Sequence, residues 1–588
     1  MSFCDCIWHN KCYFRIYSFE TKAMKQVIIF IFLVVTVANL HAQYPPMSSP
    51  VNIPIILNGN FGEIRSNHFH SGIDIKTNGE IGLPVFSVDD GYVSRISVSP
   101  VGYGNALYID HPSGFTSVYG HLDCFTDTIA QWVKSQQYKE KSFQVNLFPE
   151  KDQFKVNKGQ EIGKTGNSGS SAGPHLHFEI RKTSQEKPVN PLFFDFDITD
   201  TTKPAVENLY VYPLSDSSHV MNKTDKQRYP LVFYGGSYRL KGIQSLDVWG
   251  KIGFGIDAID YFDNNWSKCG IYQMEYWVDN QLINSFEVDE LDFNLTRYIN
   301  SHIDYQAFKE NNKGVHKTFI EPGNKLGLYQ QTYNGGVFEF KSKKRHKVQI
   351  IFYDAHMNAS EIIFFVNPTQ PIPHNKKESD AHFDFYTDNR FETNDIKVYL
   401  PVEALYTDLN FEYKKGTTPA GAFSSLHRIH YPTTPLHVPI DIKIKGENIP
   451  AELEEKTLIA IFDIKTGEYT SQGGKYNDGW VETQTRTFGD MCIVADTIAP
   501  EIRPLSIDNN KLTEPNRIRF KISDNLSGIK HYEGTIDGKW ALFEYDAKRD
   551  LLTYYFDTRI KKDKKHKIEL VVEDHKQNSS IYTATFFY

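Results

Sequence analysis

The sharpest chemistry in this sequence lies between His70 and Glu179. His175-Leu-His177 places two imidazoles two residues apart. In a strand, residues i and i+2 project from the same face, so both rings can enter one cleft. There they meet solvent, hydrogen-bond or bind a cation. His70-Ser-Gly-Ile-Asp74 adds a neutral nitrogen and an anionic oxygen from a glycine-bearing turn, and Tyr119-Gly-His121 adds a further imidazole. A catalytic zinc takes three protein ligands and leaves a fourth position for water. His70, Asp74 and one of His175 and His177 would supply two nitrogens and one oxygen. Such a metal lowers the pKa of water toward 7 and polarises a scissile carbonyl. The spare histidine of the pair and His121 would then serve proton transfer and steady an oxyanion. Each piece alone fits unrelated polar residues on a β surface; their joint occurrence does not.

The elements that must position these side chains read as β-structure. Residues 50–195 run in short alternating stretches, such as GLPVFSVDDGYVSRISVS and GNALYIDHPSGFTSVYGHL, separated by Gly, Asp-Gly or Ser-Gly. Period-two apolar positions with such punctuation predict antiparallel strands and tight turns. The exception is Ile129 to Lys141, IAQWVKSQQYKEK, where the pattern predicts one amphipathic helix.

The blocks HSGIDI at 70–75, GLPVFSVDDGYV at 82–93, GYGNALYIDH at 102–111, SVYGHL at 117–122, KGQEIGKTGNSGSSAGPHLHFEIR at 158–181 and VNPLFF at 189–194 follow one another in order. Over roughly Phe61 to Pro191, about a quarter of the chain, the sequence resembles the lysostaphin-type (beta-lytic) zinc metalloendopeptidases of bacterial cell walls. The resemblance implies a duplicated-hybrid-motif β-sheet with the cleft on one sheet face. It also implies one Zn2+ held by His70, Asp74 and His177, with His121 and His175 as the catalytic histidines. His68, two residues before His70, matches no family ligand position and reads as a bystander. His111 falls at a turn position and reads as structural. The stretch from Asp123 to Phe154 is longer than this family needs, and its flanks place it beside the cleft, where it would tune access or be a surface insertion.

The remainder is β-rich and carries an internal repeat. Asp200-Thr-Thr-Lys-Pro204 is echoed by Asp496-Thr-Ile-Ala-Pro500, Asp263-Asn-Asn by Asp524-Asn, and His346-Lys-Val with Asp354 and Asn358 by His566-Lys-Ile with Asp574 and Asn578. Three matches in one order predict two copies of a sandwich-like module. The expected organisation of this all-β-dominated chain is a signal region at 1–42, a peptidase domain at 43–198, a β-sandwich at 199–368, a β-rich domain at 369–495 and an Ig-like sandwich at 496–588. Residues 199–588 show no paired carboxylates, phosphate loop or metal spacing.

The chain has 588 residues, room for three or four domains. Its 64 basic and 72 acidic residues give a net charge of −8, which argues against a nucleic-acid binder working by phosphate neutralisation. Aromatics reach 14 %, suiting pleated, half-buried strands. From Met24, one Lys, an apolar core from Val27 to Ala38 and a small residue at Ala42 describe a secretory signal peptide, with Met24 as the expected start. Cys124, Cys269 and Cys492, scattered and odd in number, are expected to be packing residues rather than a disulfide framework.

The expectation is therefore an exported zinc metalloendopeptidase of the periplasm, cell envelope or exterior, hydrolysing peptidoglycan cross-links or stems. Its C-terminal β domains are expected to offer surfaces to cell-envelope partners. The alternatives are a non-catalytic wall-binding regulator using the same fold, or a surface scaffold whose function resides in the sandwiches.

Overall fold

The computed structural model describes residues 44–372, 379–508 and 511–588. The expected signal segment lies outside the described residues, as does part of the polar stretch after Pro368.

The first module is built on one antiparallel sheet. Its elements are β1 (Leu57–Gly59), β2 (Ile73–Lys76), β3 (Gly91–Val98), β4 (Asn105–Asp110), β5 (Phe115–Leu122), helix α1 (Asp127–Glu140), β6 (Val145–Leu147) and β7 (His175–Lys182). The strands order as β1-β2-β7-β5-β4-β3-β6. In β7 the sequence HLHFEIRK alternates. Leu176, Phe178 and Ile180 enter the apolar core with Ile73, Ile75 and Tyr119, and the polar residues take the opposite face. Helix α1 covers the predicted helical stretch, shifted by two residues at its start; Ile129, Val133 and Gln137 are its buried residues.

Residues 205–368 carry β8 (Ala205–Pro213), β9 (Leu246–Ile259), β10 (Gln273–Val278), β11 (His346–Tyr353) and β12 (Ala359–Pro368), drawn into a twelve-stranded sheet. The last module carries β13 (Glu501–Pro504), β14 (Arg517–Ser523), β15 (Ile529–Ile536), β16 (Lys565–Asp574) and β17 (Ser579–Phe587). The pairings β8–β9 and β10–β11–β12 recur as β13–β14 and β15–β16–β17. One detail of the sequence repeat shifts. Asp260, not Asp263, directly follows β9 as Asp524 follows β14, because the first copy has a longer turn there. Between these modules, two five-stranded sheets enclose a separate core that includes Val398, Ile442 and Ile493.

Helix α1 faces the last module rather than the sheet face that carries His175 and His177. Tyr138 meets Trp540 at 5.2 Å between ring centroids, Arg559 lies 3.8 Å over the Tyr138 ring, and Lys134 pairs with Asp557 at 2.7 Å. Cys269 and Cys492 are buried, as packing residues are, whereas Cys124 is exposed on a short strand.

Candidate functional site

Strand register assembles the site. Antiparallel pairing of β7 with β2 sets His177 directly opposite Asp74, and pairing with β5 sets it opposite Gly120. A side chain at Gly120 would begin 3.3–3.4 Å from Tyr103 and His177, so glycine leaves the His177 ring its room. His70 reaches the same point from the turn before β2.

Three donor atoms converge there. His70 Nε2 lies 3.1 Å from His177 Nδ1 and 3.1 Å from Asp74 Oδ1, and the last two are 2.9 Å apart. The other nitrogen of each ring is occupied: His70 Nδ1–H donates to the carbonyl of Asn60 at 2.8 Å, and His177 Nε2–H donates to Glu179 Oε1 at 2.8 Å. Those partners aim His70 Nε2 and His177 Nδ1 at each other and at a carboxylate. Ligands about 2.0–2.2 Å from a tetrahedral metal stand about 3.3–3.6 Å apart, close to what is seen. The donor set fits one cation.

Without a cation, the same point draws a proton onto His177. Burial alone would lower the His177 pKa, but hydrogen bonds to Asp74 and Glu179 push it up to about 9. Burial works against the Asp74 charge as well, yet the surrounding histidines hold its carboxyl well below the usual range. Arg65 adds a contact of 3.1 Å to Asp74 Oδ2. The pocket thus gathers positive groups around one carboxylate, the histidines on Oδ1 and Arg65 on Oδ2.

The other two candidate histidines stand beside this point. His175 Nδ1 contacts the carbonyl of Gly173 at 2.8 Å, turning Nε2 to within 3.4 Å of Asp74 Oδ1. His121 has a φ of 59°, a left-handed conformation uncommon away from glycine that turns its side chain at the end of β5. Its Nδ1 contacts the carbonyl of Ser168 at 2.9 Å, and its ring lies 4.8 Å from that of His175. Burial, with the charges of His177 and His175, lowers the His121 pKa to about 3, so its Nε2 keeps a free lone pair.

These groups open into a cleft of about 840 Å³, walled by Asn58, Arg65 and His68 on one side, Gly102, Tyr103 and Ser170–Pro174 on another, and Phe293 and Thr296 from the second module. His68 lines the mouth with Nδ1 on the Ser66 carbonyl and is no part of the converging set. His111 is buried elsewhere, bonded to the Asp90 carbonyl and Ser117. None of residues 123–155 lines the cleft. The expectation that they flank it is corrected, because α1 is held by the last module instead.

Sequence reasoning gave no role to Glu179, Arg181, Tyr103 or Asn60. Glu179 is wholly buried and accepts from Ser71, Tyr103, His177 and Arg181 at 2.6–2.8 Å. The available signal was the continued alternation of His175, His177, Glu179 and Arg181, four polar residues on one strand face.

Residues 68–138 and 143–191 match Peptidase family M23, and residues 380–496 match a Zu5-like domain. The peptidoglycan DD-endopeptidase ShyB of Vibrio cholerae is 28% identical over 158 residues, which are 27% of this chain and 30% of that protein. The DD-carboxypeptidase/endopeptidase Mpg of Neisseria meningitidis is 33% identical over 123 residues, 21% of this chain and 22% of the relative. A zinc-containing peptidase from Vibrio cholerae of known structure is 28% identical, covering 26% of this chain and 40% of its own, with a TM-score of 0.19. The chain therefore spans less than a third of the length of these curated relatives. Over residues 68–138 and 143–191 the match to the M23 model supports the resemblance to the lysostaphin-type peptidases.

Proposed function

We propose that this protein is an exported zinc metalloendopeptidase that hydrolyses peptide bonds in the cross-links or stems of peptidoglycan. The observation that carries the reading is the meeting of His70 Nε2, Asp74 Oδ1 and His177 Nδ1 within 2.9–3.1 Å, beside His121 and His175. The substrate class rests on the relatives, whose names describe peptidoglycan endopeptidase activity.

His70, Asp74 and His177 would hold the metal through two ring nitrogens and one carboxylate oxygen in a buried pocket, the metal taking the place of the proton on His177 Nδ1. Bound there, zinc supplies a Lewis acid that polarises a peptide carbonyl and brings water near its ionisation at neutral pH. The chain's residues do the rest. Asn60 and Glu179 orient the two ligand rings. His121 stays neutral, so its Nε2 accepts a hydrogen bond from the attacking water and sets its angle. His175 faces the same space and carries the proton toward the leaving amine. Phe293 and Thr296 let the second module touch the substrate chain beyond the scissile bond. The cell envelope or exterior is where such a substrate is met. A binding-only role is less well supported, because all five residues are present and converge.

Metal analysis beside sacculus hydrolysis tests the division of labour. His70→Ala, Asp74→Ala and His177→Ala should purify with depleted zinc and no activity. His121→Ala and His175→Ala should keep about one zinc per chain and lose roughly 100- to 10,000-fold in rate. Zinc loss from His175→Ala with retention in His177→Ala would overturn the assignment.

A further inference from the structure

A second group of converging acids lies at the joint between the first two modules. Asp200 ends the segment that leaves the peptidase core through Phe194, Phe196 and Ile198. Asp260 directly follows β9 and Asp354 directly follows β11. The three are 6 %, 0 % and 1 % exposed, and one oxygen of each lies within 4.8 Å of the others.

A buried carboxylate is ordinarily satisfied by hydrogen bonds or a paired cation. Asp354 is satisfied: Oδ1 accepts from the backbone N–H of His356 and Asn358, and Oδ2 from the Asn358 amide at 2.8 Å. Asp260 is not. Both its oxygens are shut off from solvent with no hydrogen-bond partner, and Asp200 Oδ2 is in the same state. Three buried oxygen atoms of these two acids thus have no donor, and each acid brings one oxygen to the cluster.

The last module repeats the framework with a lysine close by. Asp496, Asp524 and Asp574 converge at the equivalent positions. There Lys576, two residues after Asp574, is itself buried; its ammonium donates to the Gly474 carbonyl at 2.8 Å and is attracted by Glu455, Asp496 and Asp574. In the first copy the residue two after Asp354 is His356, whose Nε2 is turned away to the Ile198 carbonyl at 3.0 Å. The copy that lacks the lysine leaves three carboxylate oxygens unpartnered, two of them on Asp260, against one, Asp524 Oδ1, in the copy that has it.

We propose that Asp200, Asp260 and Asp354 hold a calcium ion that ties the peptidase module to the sandwich behind it. The donors are all hard oxygens, which favour calcium or magnesium over zinc. Oxygens about 2.3–2.6 Å from one calcium ion stand up to roughly 5 Å apart, which accommodates the cluster. Magnesium, at about 2.0–2.1 Å with near-ideal octahedral geometry, is served less well. In the ion-free protein burial, helped by the neighbouring carboxylates, raises Asp200 to about 7 and Asp260 to about 8, which reflects the cost of enclosing their charge without a partner. The consequence is mechanical. Phe262 and Cys269, on the turn that follows Asp260, pack into the peptidase core. The ion therefore fixes the joint that positions Phe293 and Thr296 over the cleft.

Calorimetric titration of the zinc-loaded full chain with Ca2+ tests this, with Asp260→Asn, Asp200→Asn and, as a control in the last module, Asp524→Asn. The wild type and Asp524→Asn should bind Ca2+ and gain thermal stability. Asp260→Asn and Asp200→Asn should bind at least tenfold more weakly and gain none. Asp260→Asn removes a buried charge and keeps the shape, so its calcium-free Tm at pH 8 should match or exceed the wild type. Absence of binding to the wild type, an unchanged affinity in both cluster variants, or tighter binding of Mg2+ would overturn the proposal.

Discussion

Replacing Glu179 by glutamine keeps the shape of a wholly buried side chain and removes its charge. Oε1 of Glu179 accepts from Ser71 Oγ at 2.6 Å, Tyr103 Oη at 2.6 Å and His177 Nε2 at 2.8 Å. Oε2 accepts from Arg181 Nε and Nη2, each at 2.6 Å. An amide offers one acceptor oxygen and one donor nitrogen. If its nitrogen replaces Oε2 it confronts two guanidinium N–H groups; if it replaces Oε1 it confronts the three donors. At least two contacts are lost in either orientation, and Arg181, 5 % exposed, is left without its counter-charge. Breaking a buried pair by removing one partner costs about 3–5 kcal/mol. The orientation of His177 is also loosened, which for a residue behind a metal ligand weakens metal affinity about 10- to 100-fold. In a chain of several modules, hydrogen exchange of the β7 amides reports the opening of this sheet without assuming one global transition. A chelator competition gives the zinc affinity. Exchange protection within about 1 kcal/mol of wild type, together with unchanged zinc affinity, would refute the reasoning.

Gly169→Ala should lower turnover about 100-fold with zinc content unchanged, because a Cβ there would fall 2.3 Å from Gly104 N at a φ of +67° and displace the Ser168 carbonyl that holds His121; steady-state kinetics beside metal analysis checks it. Trp540→Ala should loosen the last module from α1 at a cost of about 1 kcal/mol, read as faster proteolysis of residues 496–588. Calcium-free protein should lose stability as pH rises from 5 to 9. Asp200 and Asp260 titrate in the folded state at about 7 and about 8, above their unfolded value of 3.8, so the stability from their protonation is complete below about pH 4 and lost through that window. Saturating Ca2+ should flatten the profile, and an equal slope with and without Ca2+ would count against the cation site.

Much of the site was legible because strand periodicity is a local property. Alternation alone puts His175 and His177 on one face, and the ordered blocks resemble a family that supplies the roles. The opposition of Asp74 to His177 was not legible, since it depends on the pairing of β2 with β7 across a hundred residues. The orienting acceptors of His70 and His121 are backbone carbonyls, of Asn60 and Ser168, which no side-chain pattern announces. Helix α1 was legible as a helix, but its partner is a module some 400 residues away, so its position relative to the cleft was misjudged. The acidic repeat was visible as matching segments. Its orphaned member escaped notice because a longer turn in the first copy aligned Asp263 with Asp524 and hid Asp260.

The most direct measurement is digestion of purified peptidoglycan sacculi by the full chain carrying one zinc, with the released muropeptides identified by mass spectrometry. The expected result is cleavage at peptide bonds of the cross-links or stems, abolished by zinc removal and by His177→Ala and restored to the wild type by added zinc. Intact sacculi from several wall chemistries, with zinc confirmed bound at His70, Asp74 and His177, would contradict a catalytic role.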